Sequence, residues 1–118
     1  MMPVCYDFAV VRGNNRPITF RFSTVRDGEA EPVDFSGGEV VLTVVSRLGV
    51  LRKSTDDADG LAVVPLAGEV TWQPTLAETR AIPEGRRSTY EVEWRQASGQ
   101  QLTLLRGAVT GVGGIGDD

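Results

Sequence analysis

Glu91 and Glu93 flank Val92 in "TYEVEW", and two residues of strand rise set them roughly 6.6 Å apart on one face. Paired carboxylates at a similar separation cleave glycosidic bonds, provided that one of them is buried and held protonated. Here both alternate with Tyr90, Val92 and Trp94 and lie beside Arg95, which assigns them to a solvated polar face, where charges are routine. "TDDADG" places Asp57, Asp59 and Gly60 at the spacing of a calcium loop. However, Thr55 stands at the first ligand position and Leu66 where a bidentate Glu is needed. An EF-hand is rejected; a solvated turn is expected, with a weak calcium contact through Asp56, Asp57 and Asp59 as the alternative.

"GVGGIG" has the dinucleotide-binding spacing at Gly111, Gly113 and Gly116, yet only Asp117 and Asp118 follow, and no helix can begin there to meet a pyrophosphate. No cofactor or metal is therefore expected. The chain contains no His, which removes the commonest general base and any Cys–His or Ser–His relay. Lys53 could activate a serine, but nothing in its surroundings provides burial or an oxyanion hole. No catalytic residue emerges, and a non-enzymatic protein is expected. Trp72 and Trp94 could form a sugar-stacking platform, but both fall in the apolar phase of their strands, which favours the core.

The elements that must position these residues are strands. Tyr6, Phe8 and Val10 alternate with Asp7 and Ala9, and Ile18, Phe20 and Phe22 with Thr19, Arg21 and Ser23, across a connection at "RGNNRP". "VRDGEAEPVDFSGG" collects turn formers and reads as a long surface loop. "EVVLTVVSR" is nearly all apolar: Val40, Leu42 and Val44 face a core, while Val41 and Val45 meet a second element. "LGVLRKS" adds an edge segment, "LAVVPL" and "EVTWQ" form a hairpin about "AG", and "TYEVEWRQ" returns through "ASGQ" to "QLTLLRGAVT". Between them "TLAETRAI" carries a capping box, Thr75 with Glu78 three residues on, and Pro83 and Gly85 close it. A helix over 75–82 is predicted to cross from one sheet to the other.

At 118 residues the chain fits one domain. The reading is an all-β, immunoglobulin-like antiparallel β-sandwich of about seven strands with one short helix in a crossover. The sandwich is expected over residues 1–110, with a flexible glycine-rich tail over 111–118. Phe20, Leu42, Trp72, Tyr90, Val92 and Trp94 are its expected shared core. Cys5 is the only cysteine, so no internal disulfide can form, and nothing marks an oxidising compartment. Neither a signal-peptide pattern nor an apolar run of about 20 residues is present, so no membrane partner is expected. Net charge is −4, with eleven Arg and one Lys scattered among sixteen acids. That distribution lacks the basic stripe a nucleic acid requires.

In order, "RGNNRPITFRFST", "PVDFSGGEVVLTV", "GEVTWQPTLAETRAIPEGRRSTYEVEW" and "LTLLRGAVTGVGG" resemble the immunoglobulin-like N-terminal domain of phage baseplate upper proteins and related small phage and prophage tail proteins. The resemblance spans most of the chain and implies a structural module that docks onto tail or baseplate neighbours, with self-association a further option. It also implies a place in the virion after synthesis in a bacterial host cytoplasm. Apolar positions that a partner would cover, Val41, Val45, Val50 and Leu51, are the docking candidates. The runner-up function is a carbohydrate- or other ligand-binding sandwich, distinguished by an exposed Trp72 or Trp94. By analogy with immunoglobulin domains, Tyr90 should anchor the preceding crossover through its hydroxyl, as a tyrosine corner does.

Overall fold

The computed structural model describes residues 4–57, 60–85 and 87–113. The chain is predominantly β, with strands β1 (Val4–Cys5), β2 (Phe8–Val11), β3 (Ile18–Arg21), β4 (Ser23–Arg26), β5 (Glu29–Pro32), β6 (Glu39–Ser46) and β7 (Gly49–Ser54) in its first half. Then come β8 (Leu61–Val64), β9 (Glu69–Trp72), helix α1 (Leu76–Arg80), β10 (Arg87–Arg95) and β11 (Gln101–Val112). The large sheet runs β1–β11–β10–β6–β7, with β2 also on β11, and the small sheet runs β3–β9–β8. All pairings are antiparallel except those of β1 and β2, which lie parallel to β11.

One core joins the two sheets. Phe20, Leu61, Val70 and Trp72 from the small sheet cluster with Val40, Leu42, Val44, Tyr90, Val92, Leu104 and Val109 from the large one, and Trp94 packs half-buried against them. Period-two patterning explains the selection, since alternate strand residues share a face. β11 departs from it: a register shift opposite Val92 and Glu93 leaves Leu104 between paired residues, and both Leu104 and Leu105 turn inward. A bulge of this kind resets the alternation. The strand also passes the boundary expected at residue 110, because Gly111 and Val112 pair with Val10 and Val11. The rest of the predicted tail, residues 114–118, lies outside the described residues.

The N-terminal edge is broken in two. Tyr6 is exposed rather than inward, and Asp7 turns its carboxylate back to accept from the Ala108 amide at 2.8 Å. Gly107 permits this approach, since a Cβ there would sit 1.9 Å from the Tyr6 carbonyl oxygen. Tyr90 completes the junction by donating its hydroxyl to that same carbonyl at 2.6 Å. The phenol therefore anchors the N-terminal strand and not the crossover, which corrects the tyrosine-corner expectation. The reason is positional: Tyr90 faces inward on β10, with β11 between it and the break, and its hydroxyl reaches the Tyr6 carbonyl there.

Helix α1 forms where the capping box predicts. Thr75 accepts from the Glu78 amide at 3.1 Å, and Glu78 accepts from the Thr75 amide at 2.9 Å. Two orphan donors of the first turn are thereby satisfied. The β2–β3 connection braces the helix from the other side: Gly13 donates to Thr79 Oγ1 at 3.0 Å, and Arg12 to the Arg80 carbonyl at 2.8 Å. The helix carries the chain from β9 in the small sheet to β10 in the large one, as expected.

Two expectations are corrected. The stretch read as a surface loop contains a hairpin, β4–β5, closed by Asp27 and Gly28 at φ 52° and 80°. Positive φ at both central residues is the turn geometry that matches strand twist, and Asp-Gly is its frequent sequence. β6 is also not covered on both faces, since Val45 is 47% exposed. The apolar character of β6 on its outer side thus marks a central strand and not a second covering layer.

Candidate functional site

The predicted docking residues fall on two faces of the β6–β7 hairpin. Val45 and Val50 are cross-strand partners on the outer face, 47% and 68% exposed, so the sheet register brings them together. Leu51 pairs with Val44 and faces inward, half-buried against the core. Val41 does not serve as an exposed position: it is 2% exposed, although it lies outside the core cluster. Its neighbours explain this. It sits between Glu93 of β10 and Ser54 of β7, beside the Glu39, Glu93 and Arg95 side chains, whose stems can cover an apolar residue while their charges stay wet.

Where the hairpin turns, an apolar groove of about 240 Å³ opens between β7 and α1, lined among others by Val44, Leu48, Val50, Leu51, Ala77 and Ile82. Leu48, 57% exposed, was not among the expected docking residues. Its signal was available: an apolar residue in the turn "SRLG" has no core to reach. The groove wall is held by Lys53 Nζ, 2.5 Å from Glu78 Oε2, with both side chains largely buried. Glu78 thus serves two purposes, capping α1 with one oxygen and tying the helix to β7 with the other.

A second depression, about 450 Å³, lies on the outer face of the large sheet between Val41, Thr43, Glu91, Glu93, Arg95 and Arg106. Both candidate catalytic carboxylates are here, and both are engaged. Glu91 is exposed and accepts from Thr103 Oγ1 at 2.9 Å; Glu93 accepts from Arg95 Nε at 2.6 Å. The bond to Glu93 in turn holds the Arg95 guanidinium protonated above its ordinary range. They occupy the polar face, as their alternation predicts.

Ser54 organises the acidic turn. Its hydroxyl donates to a Glu39 carboxylate oxygen and accepts from the Asp56 amide at 3.0 Å, while its carbonyl accepts from the Asp57 amide at 3.2 Å. Asp59 lies outside the described residues; among those described, no three His, Cys, Asp or Glu side chains are grouped to hold a metal. In "GVGG", Gly111 meets another backbone rather than a phosphate: a Cβ there would approach the Ile82 carbonyl to 2.5 Å, and the Gly85 amide donates to its carbonyl at 3.2 Å. Gly116 lies outside the described residues.

Trp72 is fully buried and cannot stack on a sugar, and Trp94 packs edge-on against Phe35 with ring centroids 5.2 Å apart. No helix is long and apolar enough to cross a membrane among the described residues. No protein-family model matches the chain, and no curated protein matches it in sequence.

Proposed function

We propose that this protein is a non-enzymatic assembly module of a phage or prophage tail or baseplate, which docks onto neighbouring proteins and takes its place in the virion after synthesis in the host cytoplasm. The observation that carries the docking part is the apolar pole at the β6–β7 turn. Leu48, Val50 and Val45 are exposed side by side there, next to a groove floored by core residues. Exposed apolar residues are common singly, but a group of them of which Leu48 and Val50 line a preformed apolar groove marks an interaction surface. The tail context rests on the resemblance of "PVDFSGG", "ETRAIPEG", "YEVEW" and "LLRG", stretches that here deliver Val33 and Phe35 to the core, cap the crossover and accommodate the N-terminal strand. Those are framework roles, consistent with a scaffold whose work is association. The reading calls for neither a nucleic acid nor a membrane.

The test is genetic and biochemical. Deleting the gene in an inducible phage should yield particles with missing or defective tails. Val50→Glu should weaken co-purification with tail proteins while leaving the melting temperature unchanged, because Val50 is already in water. Normal infectious particles from the deletion strain would defeat the tail assignment.

A further inference from the structure

The β4–β5 hairpin stands apart from both sheets. Among the described residues its two strands pair only with each other, its root is the Phe22–Val33 pair at the core margin, and every residue from Val25 to Pro32 is exposed. A two-stranded ribbon alone is marginal in water, and both of its edges carry unpaired backbone groups. The ribbon is nevertheless patterned. Cross-strand partners share a face, so Ser23, Val25, Ala30 and Pro32 form one side, and Thr24, Arg26, Glu29 and Glu31 the other. Val25 is 75% exposed on the apolar side. An alternating strand with its apolar phase in solvent is a strand that lacks its sheet.

A matching vacancy exists along one margin of the large sheet. Among the described residues β7 is the free edge of the large sheet, since it pairs only with β6. Its inward face carries Leu51 beside the apolar groove, and its outward face carries Arg52, with Arg47 at the turn. Among the described residues neither arginine has a carboxylate within 4 Å, and neither Glu29 nor Glu31 has a Lys or Arg nitrogen within 4 Å. Strand registers separate the ribbon from the groove beside α1. Arg21 and Glu69 lie at the ribbon end of the small sheet, whereas Ile18 and Trp72 lie at the α1 end.

We infer that the ribbon of one copy adds to the β7 edge of a second copy. β5 lies alongside β7, Ala30 and Val25 extend over the groove, and Glu29 and Glu31 meet Arg52 on the outer face. Three features fit this occupant. Main-chain bonding needs only two open edges, which both surfaces have. The faces match in phase, apolar on apolar and acid on base, and opposite charges on adjacent strands are favourable. The groove, at about 240 Å³, falls below the roughly 300–1,000 Å³ of small-molecule sites but accepts small aliphatic side chains. Because ribbon and edge are separate surfaces, a copy that receives a ribbon still offers its own, and the contact propagates head to tail into a ring or filament.

The inference deepens the docking reading and rests on it only in assigning the function to association. Its test uses the purified chain, without any phage protein. Sedimentation velocity over a concentration series should reveal species larger than a dimer. Glu29→Arg with Glu31→Arg should lower the apparent association constant by about tenfold or more, as should Arg52→Glu. The variant combining all three changes should regain association, which a merely misfolded arm would not do. A chain that stays monomeric, or stops at a dimer, or associates equally well after charge reversal overturns the inference. A monomer that still co-purifies with tail proteins overturns it while leaving the docking reading standing.

Discussion

Tyr90 joins three parts of the molecule with one side chain. Its ring packs edge-on against Phe8, with centroids 4.8 Å apart, and stacks with Phe20 across the sandwich at 6.4 Å, while its hydroxyl holds the Tyr6 carbonyl. Burial first, and then the nearby Asp7 carboxylate, push the phenol up to about 12. Removing the hydroxyl in Tyr90→Phe should lower stability by about 1 kcal/mol near neutral pH, the net value of a typical hydrogen bond. The pH dependence follows from linkage. An unfolded tyrosine titrates near pH 10, so between about pH 10 and 12 the unfolded chain loses this proton more readily than the native one, and native stability falls. The variant lacks that loss. The stability difference between the two proteins, followed by denaturant titration, should therefore be constant below about pH 10, then shrink and change sign towards 12. A difference that does not change with pH would show that the phenol is free to ionise in the native state.

Among the elements, α1 is the one whose local sequence says most. Its Thr75–Glu78 capping box was legible because the contact is between residues three apart, and it formed as read. Thr75→Ala should cost about 1 kcal/mol, the usual value of an N-cap, and should loosen the wall of the groove because Glu78 also pairs with Lys53. Amide exchange at Glu78 and Ala81 measured against the core strands would register the change; unaltered exchange would mean that Arg12 and Gly13 alone hold the helix. The same logic explains what was legible elsewhere. Phe20, Leu42, Trp72, Tyr90 and Val92 were assignable to one core since strand alternation is a two-residue signal. The Asp27–Gly28 turn was equally local, but the density of turn formers around it concealed the short strands on either side. The burial of Val41 is not legible in the sequence for another reason: Glu39, Glu93 and Arg95 come together beside it only through the pairing of β6 with β10, which is a long-range fact. The parallel break at Tyr6, and with it the real partner of Tyr90, depended on an 84-residue separation that no local pattern encodes.

At the scale of the whole molecule, the two sheets share one core, and each contributes one tryptophan to it. Trp72 belongs to the small sheet and is fully buried; Trp94 belongs to the large sheet and packs on Phe35 at the ribbon end. The pair therefore reports on each sheet separately. Small domains with one continuous core usually unfold in a single step, because neither face can keep its apolar surface buried without the other. The three strands of the small sheet make this acute here: Phe20, Val70 and Trp72 are covered by Tyr90, Val92 and the other inward residues of the large sheet. Two single-tryptophan proteins, Trp72→Phe and Trp94→Phe, should each unfold with a fluorescence midpoint that coincides with the loss of far-ultraviolet circular dichroism in the same sample. Trp72→Phe should be the less stable of the two, since it leaves a cavity at a position with no exposed surface, whereas the Trp94 site opens towards solvent and can relax. If the Trp72 signal is instead lost well before the dichroism, the small sheet detaches as a unit, and the ribbon rooted at Phe22 and Val33 would then be carried on a movable layer rather than on a rigid frame.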